Sequence, residues 1–151
     1  MQLELTETQA LIRNTARTFA RERVAPGARD RDRNEKFPAE LLAEMAELGL
    51  LGVNVPAAYG GAEAGAISYS LAMMEVAEAC ASTAVAMAVT NMCAELITAF
   101  GTEAQKQRHV TRLTSGQAVA GAFALSEPQA GSDASALETR AERTPRDSAG
   151  L

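Results

Sequence analysis

The sequence predicts a mainly α-helical protein, an antiparallel helical bundle followed by the first strand of an incomplete β-domain. Of the 151 residues, 47% are hydrophobic but only 4% are aromatic, and Ala, Leu, Met and Glu dominate, which favours helices over a sandwich or barrel. Apolar residues recur at helical spacing over the first 118 positions. A short apolar run at residues 119–125 is followed at once by Pro128, the pattern of a strand that ends in a loop.

Composition and charge argue against several functional classes. The net charge is −5 and the basic residues are scattered, so no nucleic-acid-binding surface is indicated. Cys80 and Cys93 lie in apolar segments without Cys or His neighbours at metal-ligand spacing, which predicts buried free thiols and no metal site. Glu4 and Glu7 stand where a secretory signal would be apolar, and we expect no membrane span and a cytoplasmic location.

A capping box opens the first predicted helix. Thr6 is placed to cap it, and Gln9 follows three residues later. Apolar and small residues then recur at helical spacing as far as Val24 and form one stripe, which includes Leu11, Ile12, Ala16, Phe19 and Ala20. The Pro-Gly pair at residues 26–27 interrupts this helix, and a charged helical continuation to about residue 33 follows.

The second helix is predicted to begin at Pro38, since proline fits the first helical position, and to end at Gly49. Residues 50–56 are apolar and extended, and residues 57–61 form a turn. The buried face of the helix is made of four apolar side chains at helical spacing, Leu41, Leu42, Met45 and Leu48.

Two longer helices follow, at residues 67–81 and 83–100, and Ser82 is placed to cap the second of them. Glu95 is the only carboxylate or basic side chain in residues 83–100. A helix that is apolar all round is buried, so we expect this one at the centre of the bundle.

The last predicted helix begins with a second capping box, Thr102 with Gln105, and ends near Gly116. Val110 and Leu113 form its inner face.

Residues 125–133 read L-S-E-P-Q-A-G-S-D and open into a tight turn. Gly131 is free to take a positive φ, and the polar side chains around it can hydrogen-bond nearby backbone groups. Loops of this kind hold polar, electron-rich ligands through N–H and hydroxyl groups. From the residues alone, a cofactor-binding loop and an ordinary exit from a strand into a turn are equally open.

The order of these nine residues resembles the signature of the acyl-CoA dehydrogenase family, (Leu/Val)-(Ser/Thr)-Glu-Pro-x-Ala-Gly-Ser-Asp. Residues 49–61, G-L-L-G-x-x-x-P-x-x-Y-G-G, are similar to the same family. The resemblance reaches about residue 140. It implies a helical N-terminal domain at residues 1–118 and the opening strand and flavin loop of a middle β-domain at residues 119–141. Residues 142–151 diverge, and we expect them to be disordered.

The resemblance implies a function: FAD-dependent α,β-dehydrogenation of an acyl-CoA to the enoyl-CoA, with an electron-transferring flavoprotein as acceptor. It also implies a dimeric or tetrameric parent enzyme. Relatives take their catalytic base from a C-terminal domain, so no residue here is assigned as catalytic, Glu127 included. We therefore expect an N-terminal fragment that is inactive alone. The alternatives are a flavin oxidase or monooxygenase on the same fold, and a non-catalytic helical interaction or assembly module.

The same resemblance places the cofactor. The backbones of Phe123 and Leu125 are expected to lie along the flavin ring, and Ser126 to reach its polar edge. Gly131 and Ser132 are expected to approach FAD as well, and Ser132 also to contact the pantetheine arm of the acyl-CoA. Phe123 stands where the family often has Tyr, so one side-chain hydroxyl of the family pattern is missing here.

The acyl tail is expected along the helix at residues 83–100. Ala86, Thr90 and Ala94 are spaced i, i+4 and i+8, so they share one face of small side chains. A slot for an alkyl chain explains this face, and so does close packing against another part of the protein.

Overall fold

A computed structural model describes residues 4–142 of the chain. The mainly helical prediction is confirmed. We number the α-helices α1 Glu7–Phe19, α2 Ala28–Arg33, α3 Ala39–Glu47, α4 Gly65–Ala79, α5 Ala81–Phe100, α6 Glu103–Gln105 and α7 Thr111–Thr114. Helix α4 packs against α1 on one side and against α5 on the other.

Two of the helical rods change their winding part-way. Helix α1 runs into a π-helical turn, Ala20–Val24, then a 3-10 turn, Ala25–Gly27, and then α2. Helix α6 continues into α7 through a second π-helical turn, Lys106–Val110. A π turn inserts an extra residue and shifts the phase of everything after it. At the predicted interruption, residues 26–27, the chain forms a 3-10 turn, and the helical segment continues through it into α2.

The core lies between α1, α3, α4, α5 and residues 50–55. These residues form turns and bends, with the Val55 N–H donating to the Gly52 carbonyl, so the extended segment predicted at residues 50–56 is not formed. Leu11 and Leu48, which the helical spacing places in the core, are exposed. Leu11 lies one position away from the inward-facing Ile12, and Leu48 follows the end of α3. The buried apolar residues of the main cluster are Ala16, Phe19, Val24, Leu41, Leu42, Met45, Leu50, Leu51, Val53, Ala72, Val76, Ala84 and Met87.

Helix α5 is buried on one face only, so the prediction that it is buried all round is wrong. Val85 is 60% exposed and Phe100 85% exposed, on a side that no other described residue covers. By length and composition α5 is also apolar enough to cross a membrane, contrary to our expectation, although a core helix passes the same test. The helix begins at Ala81, after Cys80, so Ser82 lies inside it and does not cap it.

The opening strand predicted at residues 119–125 is not formed in the described part of the chain. These residues follow an irregular path, because a strand requires a neighbour that exchanges ladder hydrogen bonds with it. One isolated antiparallel bridge joins Glu127 to Ala130. The disorder predicted for residues 142–151 concerns positions that, apart from residue 142, lie outside the described residues.

Candidate functional site

The path from the bundle to the signature loop is set by the small-residue face of α5. The Gly121 N–H donates to the Thr90 hydroxyl at 3.1 Å, and that hydroxyl donates to the Ala86 carbonyl at 2.8 Å. A Cβ at Gly121 would lie 2.8 Å from the Cβ of Cys93, too close for any side chain. The chain after the bundle is thus docked on α5 before the loop begins.

The structure brings two of the three predicted acyl-tail residues under this docked segment. Thr90 and Ala94 are fully buried, and Ala86 is partly buried. Within the described residues, the segment around Gly121 covers this face, as the close-packing alternative predicts. An alkyl chain along Thr90 and Ala94 would require residues 118–122 to move, and the role of these three residues in substrate binding stays a prediction.

Glu127 closes the signature loop with its carboxylate. It accepts the backbone N–H groups of Glu138 at 2.9 Å and Thr139 at 3.0 Å, the Thr139 hydroxyl, and the Gln129 amide at 2.6 Å. These hydrogen bonds, led by the Glu138 N–H, hold the pKa of Glu127 at about 2. A carboxylate with so low a pKa is a weak base, which agrees with the structural role predicted for it.

Two shorter contacts complete the loop. Glu127 and Ala130 exchange backbone hydrogen bonds of 3.1 and 3.0 Å and so form a tight hairpin. Asp133 accepts from the Ser135 hydroxyl at 2.5 Å and from its N–H at 3.0 Å and caps a 3-10 turn, Ala134–Ala136; these bonds lower the pKa of Asp133. Residues 127–139 are therefore tied together at both ends.

The five predicted cofactor residues lie on the open side of this loop and the chain leading to it. Phe123 is 46% and Leu125 41% exposed, which is high for large apolar side chains. A Cβ at Gly131 would meet no described atom within 4 Å. The hydroxyls of Ser126 and Ser132 donate to no group within residues 4–142. Uncovered apolar side chains beside unused hydroxyls fit a flat ring with a polar edge, so these residues suit a flavin.

A groove of about 420 Å³ runs beside the docked segment, between α5 and α7. His109 and Arg112 add polar groups to a lining that is otherwise mostly apolar. The sequence predicts His109 as a surface residue, and it is exposed; it does not predict the groove that His109 shares with Arg112, although the spacing of i and i+3 places both on one side of a helix. The apolar lining includes Cys93, Leu96, Ile97, Leu113 and Phe123.

The family model "Acyl-CoA dehydrogenase, N-terminal domain" matches residues 6–117. The chain belongs to the acyl-CoA dehydrogenase family. The resemblance to this family is confirmed. The relatives are acyl-CoA dehydrogenases, which are oxidoreductases.

Individual acyl-CoA dehydrogenases agree with the family assignment. "Probable acyl-CoA dehydrogenase YngJ" of Bacillus subtilis is 44% identical over 142 residues, 93% of this chain and 37% of that protein. The mitochondrial short-chain specific enzyme of Bos taurus is 45% identical over 140 residues, 92% and 34% of the two chains. The solved butyryl-CoA dehydrogenase of Megasphaera elsdenii superposes with a TM-score of 0.83 at 36% identity, over 92% and 37%. The chain thus spans about a third of the length of these relatives.

Proposed function

We propose that this chain supplies the N-terminal helical domain and the flavin loop of an FAD-dependent acyl-CoA dehydrogenase. The proposed reaction is the oxidation of a short acyl-CoA to the enoyl-CoA. The observation that carries this proposal is the loop closed by Glu127, which leaves Phe123, Leu125, Ser126, Gly131 and Ser132 open to a ligand. The preference for short chains rests on the relatives, whose names include short-chain specific and butyryl-CoA enzymes.

In the proposed site each residue binds or orients. A bound FAD would supply the acceptor for the hydride that leaves the β-carbon of the acyl group. Phe123 and Leu125 would offer the cofactor an apolar surface, and the Ser126 hydroxyl would donate a hydrogen bond to its polar edge. The Ser132 hydroxyl would donate to FAD or to the pantetheine arm of the substrate. Glu127 keeps the loop in shape and takes no proton, so the base is proposed to come from another part of the whole protein.

The exposed apolar side chains support a larger assembly. Phe100 on α5 and Phe123, Leu125 and Leu137 on the chain around the loop are uncovered in the described structure, and such surfaces mark protein contacts. We propose that the rest of a dehydrogenase covers them in a cytoplasmic dimer or tetramer that passes electrons to an electron-transferring flavoprotein. The same surfaces favour the second candidate, a non-catalytic helical interaction module.

A chimera distinguishes the two candidates. Residues 1–141 of this chain are joined to the remaining two thirds of the Bacillus subtilis relative, and the purified protein is examined for flavin absorbance and for bleaching by butyryl-CoA. We expect a yellow protein that butyryl-CoA reduces, and no turnover by the 151-residue chain alone. A folded but colourless chimera would contradict the dehydrogenase proposal and favour the interaction module.

Two variants test the loop within that chimera. Ser126→Ala removes one hydrogen bond to the flavin, and we expect FAD to bind about threefold to tenfold more weakly. Ser70→Ala is the matched control, because the Ser70 hydroxyl donates to the Ala66 carbonyl of its own helix and lies on α4. Equal affinities for FAD in the two variants would remove Ser126 from the site.

A further inference from the structure

Cys80 is the single residue between α4 and α5, and it occupies the N-cap position of α5. Its backbone is extended, with φ −163° and ψ 108°, and its sulfur lies 3.3 Å from the Ser82 hydroxyl. Cys80 occupies the position from which an N-cap side chain normally accepts a hydrogen bond, but no side-chain hydrogen bond caps α5. Both cysteines are free and partly exposed, less buried than the sequence predicts.

Two further donors act on this sulfur: the Thr83 and Arg31 side chains both favour its thiolate and lower the pKa of Cys80, although neither makes a hydrogen bond of ordinary geometry to it. The Thr83 hydroxyl is fully buried and has no hydrogen-bond partner within residues 4–142, and the same is true of the buried Arg31 Nε atom. The Arg31 guanidinium is held in place by a bond of 2.6 Å to the Val24 carbonyl. Buried donors are rarely left unpaired, so these two groups are available to a further hydrogen-bond acceptor beside the sulfur.

We propose that Cys80 is an oxidation site for small hydroperoxides, and that Thr83 and Arg31 hold the oxygen atom that the sulfur acquires. The thiolate attacks one peroxide oxygen, the S–O bond forms as the O–O bond breaks, and the sulfur loses two electrons. The leaving hydroxide or alkoxide takes the proton of the new S–OH group and departs as water or alcohol, so that the residue becomes a sulfenate. The sulfenate oxygen accepts hydrogen bonds from the Thr83 hydroxyl and Arg31 Nε. This proposal does not depend on the proposed dehydrogenase function.

The two cysteines differ in a way that provides an internal control. Burial raises the pKa of the Cys80 thiol, but the Ser82, Thr83 and Arg31 groups around it favour the thiolate more strongly and bring the pKa from 9.0 to about 7. Burial raises the pKa of Cys93 without such compensation. The residues lie 13 positions apart along α5, roughly 20 Å at 1.5 Å per residue, so they cannot form a disulfide with each other.

The test treats the 151-residue chain at pH 7 with hydrogen peroxide in the presence of dimedone, and peptide mass mapping follows the label on each cysteine. Because the thiolate fraction falls tenfold for each pKa unit, we expect Cys80 to be labelled at least about tenfold faster than Cys93. In urea the two rates should become similar. A native ratio equal to the ratio in urea would overturn the proposal.

Variants then test the two donors. Thr83→Val keeps the shape of the side chain and removes its hydroxyl, and we expect at least about threefold slower labelling of Cys80. Thr98→Val is the control, since the Thr98 hydroxyl on the same helix donates to Ala94. If circular dichroism shows that Thr83→Val has lost helix, Arg31→Gln decides in its place. Labelling of Cys80 that the folded variant leaves unchanged would refute the proposed role of these donors.

Discussion

Replacing Asn91 with leucine tests whether one buried amide joins the turns at residues 50–55 to α5. Asn91 is fully buried; it accepts the Val53 N–H at 3.0 Å and donates to the carbonyls of Leu50 at 2.9 Å and Met87 at 3.0 Å. Leucine has a similar branched shape and no polar atoms. The variant leaves the Val53 N–H and the Leu50 carbonyl buried without partners, at about 1–3 kcal/mol each.

The expected loss is therefore about 2–6 kcal/mol of unfolding free energy, since the Met87 carbonyl keeps the backbone bond of its own helix. A small domain has about 5–15 kcal/mol in all, so the effect is large. Urea denaturation followed by circular dichroism measures it as a lower midpoint at an unchanged slope. Thr98→Val, which leaves no orphaned group, should stay within about 0.5 kcal/mol of the wild type. An Asn91→Leu variant within about 1 kcal/mol of the wild type would refute the reasoning.

Three further predictions concern caps, ion pairs and glycines. Thr6→Ala removes the capping box of α1 and should lower stability by about 1 kcal/mol, seen as a lower melting temperature; an unchanged melt would contradict the cap. The hydrogen bond from Arg17 lowers the pKa of Glu75 below its ordinary value of 4.5. The ion pair therefore stabilises the fold fully at pH values above 4.5, and this stabilisation is lost as the pH falls through the lowered pKa. The difference in melting temperature between the wild type and Glu75→Gln should shrink from pH 7 to about pH 3. Gly61→Ala places a Cβ 1.9 Å from a backbone carbonyl oxygen and should abolish cooperative unfolding, whereas Gly131→Ala, with open space around it, should unfold like the wild type.

Local signals in the sequence predicted local structure well. Both capping boxes form as the spacing of three residues indicates, because each needs only one turn of chain. The family was recognised from nine consecutive loop residues, and the matches to acyl-CoA dehydrogenases confirm the family. The low pKa of Glu127 agrees with the prediction that this residue is not the catalytic base.

Features that depend on distant residues were missed. The partners of Glu127 lie 11 and 12 residues further along the chain, and Asn91 reaches a segment 38 to 41 residues earlier. The sulfur of Cys80 at an N-cap was missed because cysteine is not among the residues that favour that position. The exposed face of α5 was read as buried, since composition alone does not say whether a neighbour covers an apolar side chain.

The docking of Gly121 on α5 has a consequence for where the helical domain can be cut. A shortened chain that stops at residue 118 would strip the cover from the Thr90 hydroxyl and from Cys93. In amide hydrogen exchange, protection should accordingly continue past the last helix and fade only after the Gly121 N–H. The first residues after the helical bundle therefore contribute to its stability, and a chain cut after residue 122 keeps their contacts with α5.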